Sequence, residues 1–234
     1  MKHTLFISSR AQSKDNHLKT EKIKMSRIII FANGDLPDLE KARALLYEGD
    51  YIIAADGGTR HILALGMMPN LLIGDLDSVT KEEIEKIQQN NVEIILFPRD
   101  KNETDLELAI QHALTLNPEQ VIIAGALGGR LDQTLGNIAL ISASFILRLD
   151  DGIEEVFFCH NNCEIKGKSG DIVSLIPWQG EVAGIVTTGL KWPLQSETLY
   201  PQKTQGISNE MLGDIASVKI KSGLLLIIHR RINK

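Results

Sequence analysis

Residues 51–78 read YIIAADGGTRHILALGMMPNLLIGDLDS. The first five are an apolar run of the length of one buried strand. Asp56-Gly57-Gly58 follows, then a segment, 58–65, that fits a helix and is closed by Gly66 and Pro69. Residues 71–73 make a second short strand, and Gly74-Asp75-Leu76-Asp77-Ser78 leaves its end. Short apolar strands alternating with helices predict parallel βαβ units, in a sheet covered on both faces. Each strand here is followed within two residues by aspartate.

The same alternation extends both ways. Upstream, 27–32 (RIIIFA) reads as a strand, and Pro37 opens a helical stretch with Leu39, Ala42, Leu45 and Leu46. Downstream, Thr80 to Glu83 has capping-box spacing ahead of Ile84 and Ile87. A strand is expected at 93–97 and another at 121–124. Between them, 103–116 places Leu106, Ala109, Ile110, Ala113 and Leu114 on one helix face. Residues 134–149 read as a long apolar helix. Asp150-Asp151-Gly152 marks a boundary, after which no helical periodicity remains. Strands are expected at 155–159, 171–177, 181–187, 217–221 and 224–229, with 190–214 irregular. The expected fold class is α/β: an N-terminal parallel-sheet α/β domain (27–150), then a C-terminal all-β sandwich (152–234).

Composition narrows the function classes. The chain has 234 residues, 43 % apolar and 24 % charged, the proportions of a protein that buries a core. No uninterrupted apolar run exceeds that of Leu224-Leu225-Leu226-Ile227-Ile228, too short for a membrane span. The net charge of −5 argues against a nucleic-acid binder. Cys159 and Cys163 lack the second ligand pair of a zinc site and read as reduced thiols, as in the cytoplasm. Residues 1–26 carry six basic residues against Asp15 and Glu21 and no sustained apolar face, and read as a disordered basic tail.

The acidic residues carry the chemistry. Asp35, Asp56, Asp75, Asp77, Asp100, Asp105 and Asp132 all lie past the carboxyl ends of expected strands. In an open parallel sheet those ends share one edge, where ligands bind. Any one of them alone reads as a turn or helix-cap residue, Asp35 and Asp105 especially. Together they repel: two carboxylates ~4 Å apart at an effective dielectric of ~20 cost about 4 kcal/mol. A cation among them removes that cost, and an all-oxygen donor set suits Mg²⁺. Arg60, Arg99, Lys101 and Arg130 stand in the same loops and suit phosphate oxygens. Gly57-Gly58 and Gly128-Gly129 allow close approach of backbone to a ligand. The combination points to a Mg²⁺–nucleotide site, although neither a P-loop nor a dinucleotide-binding glycine fingerprint is present.

Six motifs in order resemble the thiamine pyrophosphokinase (thiamine diphosphokinase) family. They are Asp56-Gly57-Gly58, Gly74-Asp75-Leu76-Asp77-Ser78, Lys101-Asn102-Glu103-Thr104-Asp105, Gly128-Gly129-Arg130-Leu131-Asp132-Gln133, Thr188-Gly189-Leu190-Lys191-Trp192 and Gly206-Ile207-Ser208-Asn209-Glu210. The resemblance implies transfer of the pyrophosphoryl group of ATP to the thiamine hydroxyl, giving thiamine diphosphate and AMP. It implies an α/β ATP-binding catalytic domain, a β-sandwich that binds thiamine, and a homodimer with thiamine at the subunit interface. Asp75, Asp77 and Asp105 are the implied Mg²⁺ ligands, with Asp56 and Asp132 completing the catalytic set. Gly57, Gly58, Ser78, Lys101, Asn102, Thr104, Arg130 and Gln133 are the implied ATP contacts. Trp192 is implied to stack on a thiamine ring, with Ser208 and Asn209 bonding its pyrimidine. Asn102 stands where the family usually has Asp, and Gln133 where it often has His. The residues leave Asp56, Asp75 and Asp132 as equal candidates to accept the hydroxyl proton. A metal-dependent nucleotide phosphohydrolase and a non-catalytic thiamine or nucleotide binder are the competing functions.

Overall fold

The computed structural model describes residues 26–232, so the expected basic tail lies, but for Ser26, outside the described residues. Six parallel strands form the first part of the sheet: β1 (Arg27–Phe31), β2 (Tyr51–Ala55), β3 (Leu71–Gly74), β4 (Glu93–Leu96), β5 (Gln120–Ala124) and β6 (Leu147–Asp150). Their order is β4-β3-β2-β1-β5-β6. The chain runs outward from β1 in one direction through β4, then returns to β1's other edge with β5. That reversal is a topological switch point, where the loops after β1 and β5 diverge and open a crevice.

The isoleucine run of β1 shows why the sheet is buried. Ile28 and Ile30 point into one core with Leu106, Ala109, Ile110 and Ala113 of α4 (Asp105–Thr115) and Ile138 and Ile141 of α5 (Leu131–Ile141). Ile29 and Phe31 point into the other, against Ile62 of α2 (Thr59–Ala64), Ile87 of α3 (Lys81–Gln89) and Leu39 of α1 (Leu39–Arg43). Side chains alternate across a strand, so an unbroken apolar run serves two helical layers at once. The capping box at α3 is present: Glu83 N–H donates to Thr80 Oγ1 and Thr80 N–H to Glu83 Oε2.

Two expectations are corrected. The long helix expected over 134–149 is α5, a turn, and β6. Ser142 Oγ donates to the Ala139 carbonyl at the helix end. Leu147 and Leu149 are then buried at a spacing of two and pair with Val121 and Ile123. Pairing with the open edge of β5 outweighs helical propensity there, because it buries the leucines and satisfies the edge together. In the second half, the strands expected at 171–177 and 181–187 are one strand, β9 (Ile172–Thr188), bent at Gln179 and Gly180, both at positive φ.

The sheet does not stop at residue 150. β6 turns back antiparallel into β7 (Glu154–Cys159), and the order continues through β13 (Ser222–Arg230), β9, β12 (Ile215–Lys219) and β8 (Asn162–Lys166). β10 (Gln195–Leu199) and β11 (Asn209–Glu210) pair with β9. The first half of β9 pairs with β13 and its second half with β12, and a second apolar core, including Phe157, Val173, Ile185, Val218 and Leu225, packs on these strands. The chain is therefore mixed α/β around one large sheet.

A buried polar network ties the last strand to the α/β part. Arg231 donates to both oxygens of Asp150 at 2.8 Å. His229, fully buried, stands between Asp171 at 3.1 Å and Glu155 at 3.5 Å. Burial pushes the Asp150 carboxyl above the ordinary aspartate range, with Arg231 pulling against it. Arg231→Met is therefore expected to cost about 2–4 kcal/mol at neutral pH, read by urea unfolding, because it strands a buried charge. With Asp150 raised further, the folded state binds the extra proton, so the deficit should shrink as pH falls. A deficit independent of pH would place the cost elsewhere.

Candidate active site

A cleft of about 520 Å³ lies at the carboxyl ends of the parallel strands. The loops after β1, β3, β4 and β5 and the turn after β2 all contribute to it. Asp56, Asp75 and Asp77 each offer one carboxylate oxygen within 4.8 Å of the others. Such a trio, with no His or Cys donor, has the chemistry of a hard divalent-cation site. Asp105 lies alongside, at the first turn of α4, and is joined to Asp75 by Lys101. The Lys101 ammonium reaches Asp75 Oδ2 at 3.1 Å and Asp105 Oδ1 at 3.0 Å. Arg99 closes on Asp77 with its Nε 3.0 Å from Oδ2.

Local backbone makes this convergence possible. Gly74 has φ +147°, and a Cβ there would meet Asp105 Oδ1 and Asp56 Cβ at 3.0 Å. Only glycine leaves room for three loops to close at that point. Asp56 and Leu76 both adopt left-handed φ, at 46° and 61°. Non-glycine residues pay strain in that region, and such strain concentrates at ligand sites. Leu76 in this conformation lets Asp77 N–H donate back to Asp75 Oδ1 at 3.1 Å, setting both carboxylates toward the cleft.

The electrostatics follow from burial and pairing. Burial raises the Asp105 carboxyl, against the pull of Lys101. Burial disfavours the Lys101 ammonium, but Asp105 and Asp75 outweigh it and its pKa lies above the ordinary lysine value. Hydrogen bonds from Arg99 and Ser78 hold Asp77 below the ordinary carboxylate range. Arg130 likewise pairs with Asp132 and lowers it.

The expected residues do not all meet. Asp56, Asp75, Asp77, Ser78, Lys101, Thr104, Asp105, Arg130 and Gln133 line the cleft. Thr104 is also the N-cap of α4, its hydroxyl accepting from Glu107 N–H. Asp132 lines an adjoining groove between α4 and α5. Asn102 is absent from both linings. Gly57 and Gly58 are buried beneath the cleft, where a Cβ would strike the Asn33 side chain and the Phe31 carbonyl respectively. Trp192, Ser208 and Asn209 lie elsewhere, in the β part, with Asn209 opening β11, and none lines the cleft. Asn209 is buried and clamps the Trp192 backbone, accepting from its N–H at 3.1 Å and donating to its carbonyl at 2.7 Å. Trp192 is left 57 % exposed.

Sequence reasoning missed Asn33, Gly34, Gly125 and Asn137, all cleft-lining. The first three flank the switch point, a signal that needs the strand order. Arg60 donates to the carbonyls of Asn33 and Gly34, and His61 Nε2 donates to Gly34 at 2.9 Å, fixing the β1 loop. Asn137 holds the β5 loop through the Ala126 carbonyl.

The comparisons agree with this layout. The model for "Thiamin pyrophosphokinase, catalytic domain" matches residues 42–149, and that for "Thiamin pyrophosphokinase, vitamin B1 binding domain" matches 162–225. Thiamine pyrophosphokinase of Bacillus subtilis is 31 % identical over 182 residues, 75 % of this chain and 85 % of that protein. Thiamine pyrophosphokinase 2 of Arabidopsis thaliana is 29 % identical over 170 residues, 67 % of this chain and 64 % of its own length. The crystal structure of the B. subtilis enzyme superposes with a TM-score of 0.81 at 27 % identity, covering 89 % of this chain and 100 % of that one. That of thiamin pyrophosphokinase from Geobacillus thermodenitrificans gives 0.78 at 26 %, over 89 % and 99 %. With both family segments in order along one chain, and an acidic cleft formed within the first, the chain belongs to the thiamin pyrophosphokinase family.

Proposed function

We propose that the protein is a thiamine diphosphokinase, transferring the pyrophosphoryl group of ATP to the hydroxyl of thiamine and releasing AMP. The observation that carries the reading is the convergence of Asp56, Asp75 and Asp77 inside the segment matched by the catalytic-domain model. In this reading, residues 27–150 bind ATP and 152–234 form a thiamine-binding β-sandwich. Asp75, Asp77 and Asp105, with Asp56 beside them, would hold Mg²⁺, which would neutralise phosphate charge there. Lys101, Arg130, Ser78, Thr104 and Gln133 position the triphosphate around it. Gly57 and Gly58 keep the floor thin, and Asn102 acts from outside the lining.

The thiamine hydroxyl oxygen forms a bond to the β-phosphorus as the bond from that phosphorus to the α-phosphate's bridging oxygen breaks. Transfer of this kind depends on alignment and charge neutralisation. Of the three candidate proton acceptors, Asp132 is engaged by Arg130 and Asp75 by Lys101. Asp56 accepts only a long bond of 3.5 Å from Ser78 N–H, and so is the acceptor we favour. Trp192, exposed but with the Lys191 ammonium 5.0 Å from its ring centroid, offers its ring to a cationic aromatic ligand, an attraction worth ~0.5–2 kcal/mol. Ser208 and Asn209 flank it, Asn209 chiefly as the clamp of its loop. Because these three lie off the cleft, a homodimer that sets one subunit's Trp192 against the other's cleft completes the site. No helix among the described residues is long and apolar enough to cross a membrane. We place the enzyme in the cytoplasm, the setting that its free Cys159 and Cys163 suit.

The test is the nucleotide product. Incubation with ATP, Mg²⁺ and thiamine should release AMP in proportion to thiamine consumed. ADP and phosphate, or turnover without thiamine, would point to the phosphohydrolase instead.

A further inference from the structure

The acidic floor of the cleft already holds cations of its own, and the two differ in kind. Lys101 is 10 % exposed and bridges two carboxylates, Asp75 and Asp105. It is fixed from both sides and walled in. Arg99 is 77 % exposed and engages one carboxylate, Asp77, with Nε and Nη2 both directed at Oδ2. Asp77 Oδ1 meanwhile accepts from the Ser78 hydroxyl at 3.0 Å. Both oxygens of Asp77 are therefore engaged by donors, yet Asp77 belongs to the trio whose oxygens close to within 4.8 Å.

A divalent ion on that trio shares the Asp77 carboxylate with the guanidinium beside it, and the two cations repel each other. They compete for the one carboxylate. An exposed single ion pair is the weaker partner, being screened by water and held by a long, entropically costly side chain. Lys101 has no such freedom. Counting Asp56, Asp75, Asp77 and Asp105 against Lys101 alone leaves three negative charges once Arg99 has moved, enough to hold a divalent ion without the guanidinium. Once Arg99 leaves Asp77, the carboxylate it gives up is available to the ion. Arg99 also lines the cleft wall. Its planar fork then matches a phosphate's oxygens as well as it matched the carboxylate's.

We infer that Arg99 is the exchangeable counter-ion of this cleft, neutralising Asp77 in the free protein and passing to a polyphosphate oxygen when a divalent ion takes its place. The inference rests on the proposed function for the identity of the polyphosphate. It assigns Arg99 a role that none of the six motifs covers.

The exchange predicts effects of opposite sign. In the full-length chain without nucleotide, Arg99→Ala should bind Mn²⁺ about 2- to 5-fold more tightly than wild type, by electron paramagnetic resonance titration, because a competing cation is gone. The same variant should bind Mg²⁺–ATP roughly tenfold more weakly by calorimetry without thiamine, because a charge-assisted phosphate contact is gone. Arg99→Lys should restore most of the Mn²⁺ competition but only part of the ATP affinity. In an Asp77→Asn background, the Mn²⁺ gain from Arg99→Ala should shrink to well under that in the wild-type background, since the charge pair between the two residues is gone. Mn²⁺ binding that is unchanged or weaker in Arg99→Ala overturns the inference, as does unchanged ATP binding. None of these readouts uses turnover. Wild-type protein that binds Mg²⁺–ATP but makes no AMP would sink the proposed activity and leave Arg99 to be judged on its own signs.

Discussion

Asp75→Asn should lower kcat for thiamine-dependent AMP formation by roughly three orders of magnitude, the scale of losing a preorganised charge at a phosphoryl-transfer centre. The substitution is close to isosteric and removes one charge. An amide oxygen at the Oδ1 position still accepts the Asp77 N–H bond, and Lys101 retains Asp105 as its partner. The fold should therefore survive, with a thermal midpoint within about 2–4 °C of wild type, equivalent to roughly 1 kcal/mol for a chain of this size. Mn²⁺ binding measured on the same sample should weaken in step with activity. Full activity in a folded Asp75→Asn protein would show that the carboxylate trio is not where the cation sits.

Gly58→Ala should be the most damaging single-methyl change to stability, at about 3–5 kcal/mol, detectable as a large drop in the urea midpoint. The reason is steric. Gly58 has ordinary helical backbone angles, so any residue could adopt its conformation. A Cβ there, however, would lie 1.9 Å from the Phe31 carbonyl oxygen and 2.5 Å from its carbon. Those atoms are backbone of β1, which is pinned on both sides by β2 and β5 and cannot move aside. Gly49→Ala is the matched control. Gly49 has φ +89° and nothing within 4 Å of its Cβ direction, so its cost should be only about 1 kcal/mol of backbone strain. Equal costs at the two positions would mean that β1 does not press on the turn after β2.

These two sites also show which parts of the molecule could be read from residues alone. The first five strands and α4 are legible because their apolar spacing reflects burial on a known period. Thr80 and Glu83 are legible because a capping box is a local device. β6 is not, since Leu147 and Leu149 satisfy a helical pattern equally well until the open edge of β5 is present. β8 and β10 escape notice because an edge strand such as Gln195–Leu199 faces solvent and carries polar residues. Asn209 is singled out only by the family resemblance, and its clamp is invisible in the sequence because its bonds to Trp192 span 17 residues along the chain. Arg99 is visible as a cation near the site, whereas its pairing with Asp77 depends on how two separate loops turn.

Sequence alone determined the composition of the site and its general location: aspartates at strand ends, glycines among them, and oxygen donors without histidine or cysteine. Those follow from residue identity and short-range periodicity, which neighbouring residues settle between themselves. Tertiary structure alone decided which carboxylates meet, that Lys101 is fixed while Arg99 is exposed on one partner, and that Trp192 stands away from the cleft. These depend on strand order and loop closure, and both are set by long-range packing between segments tens of residues apart.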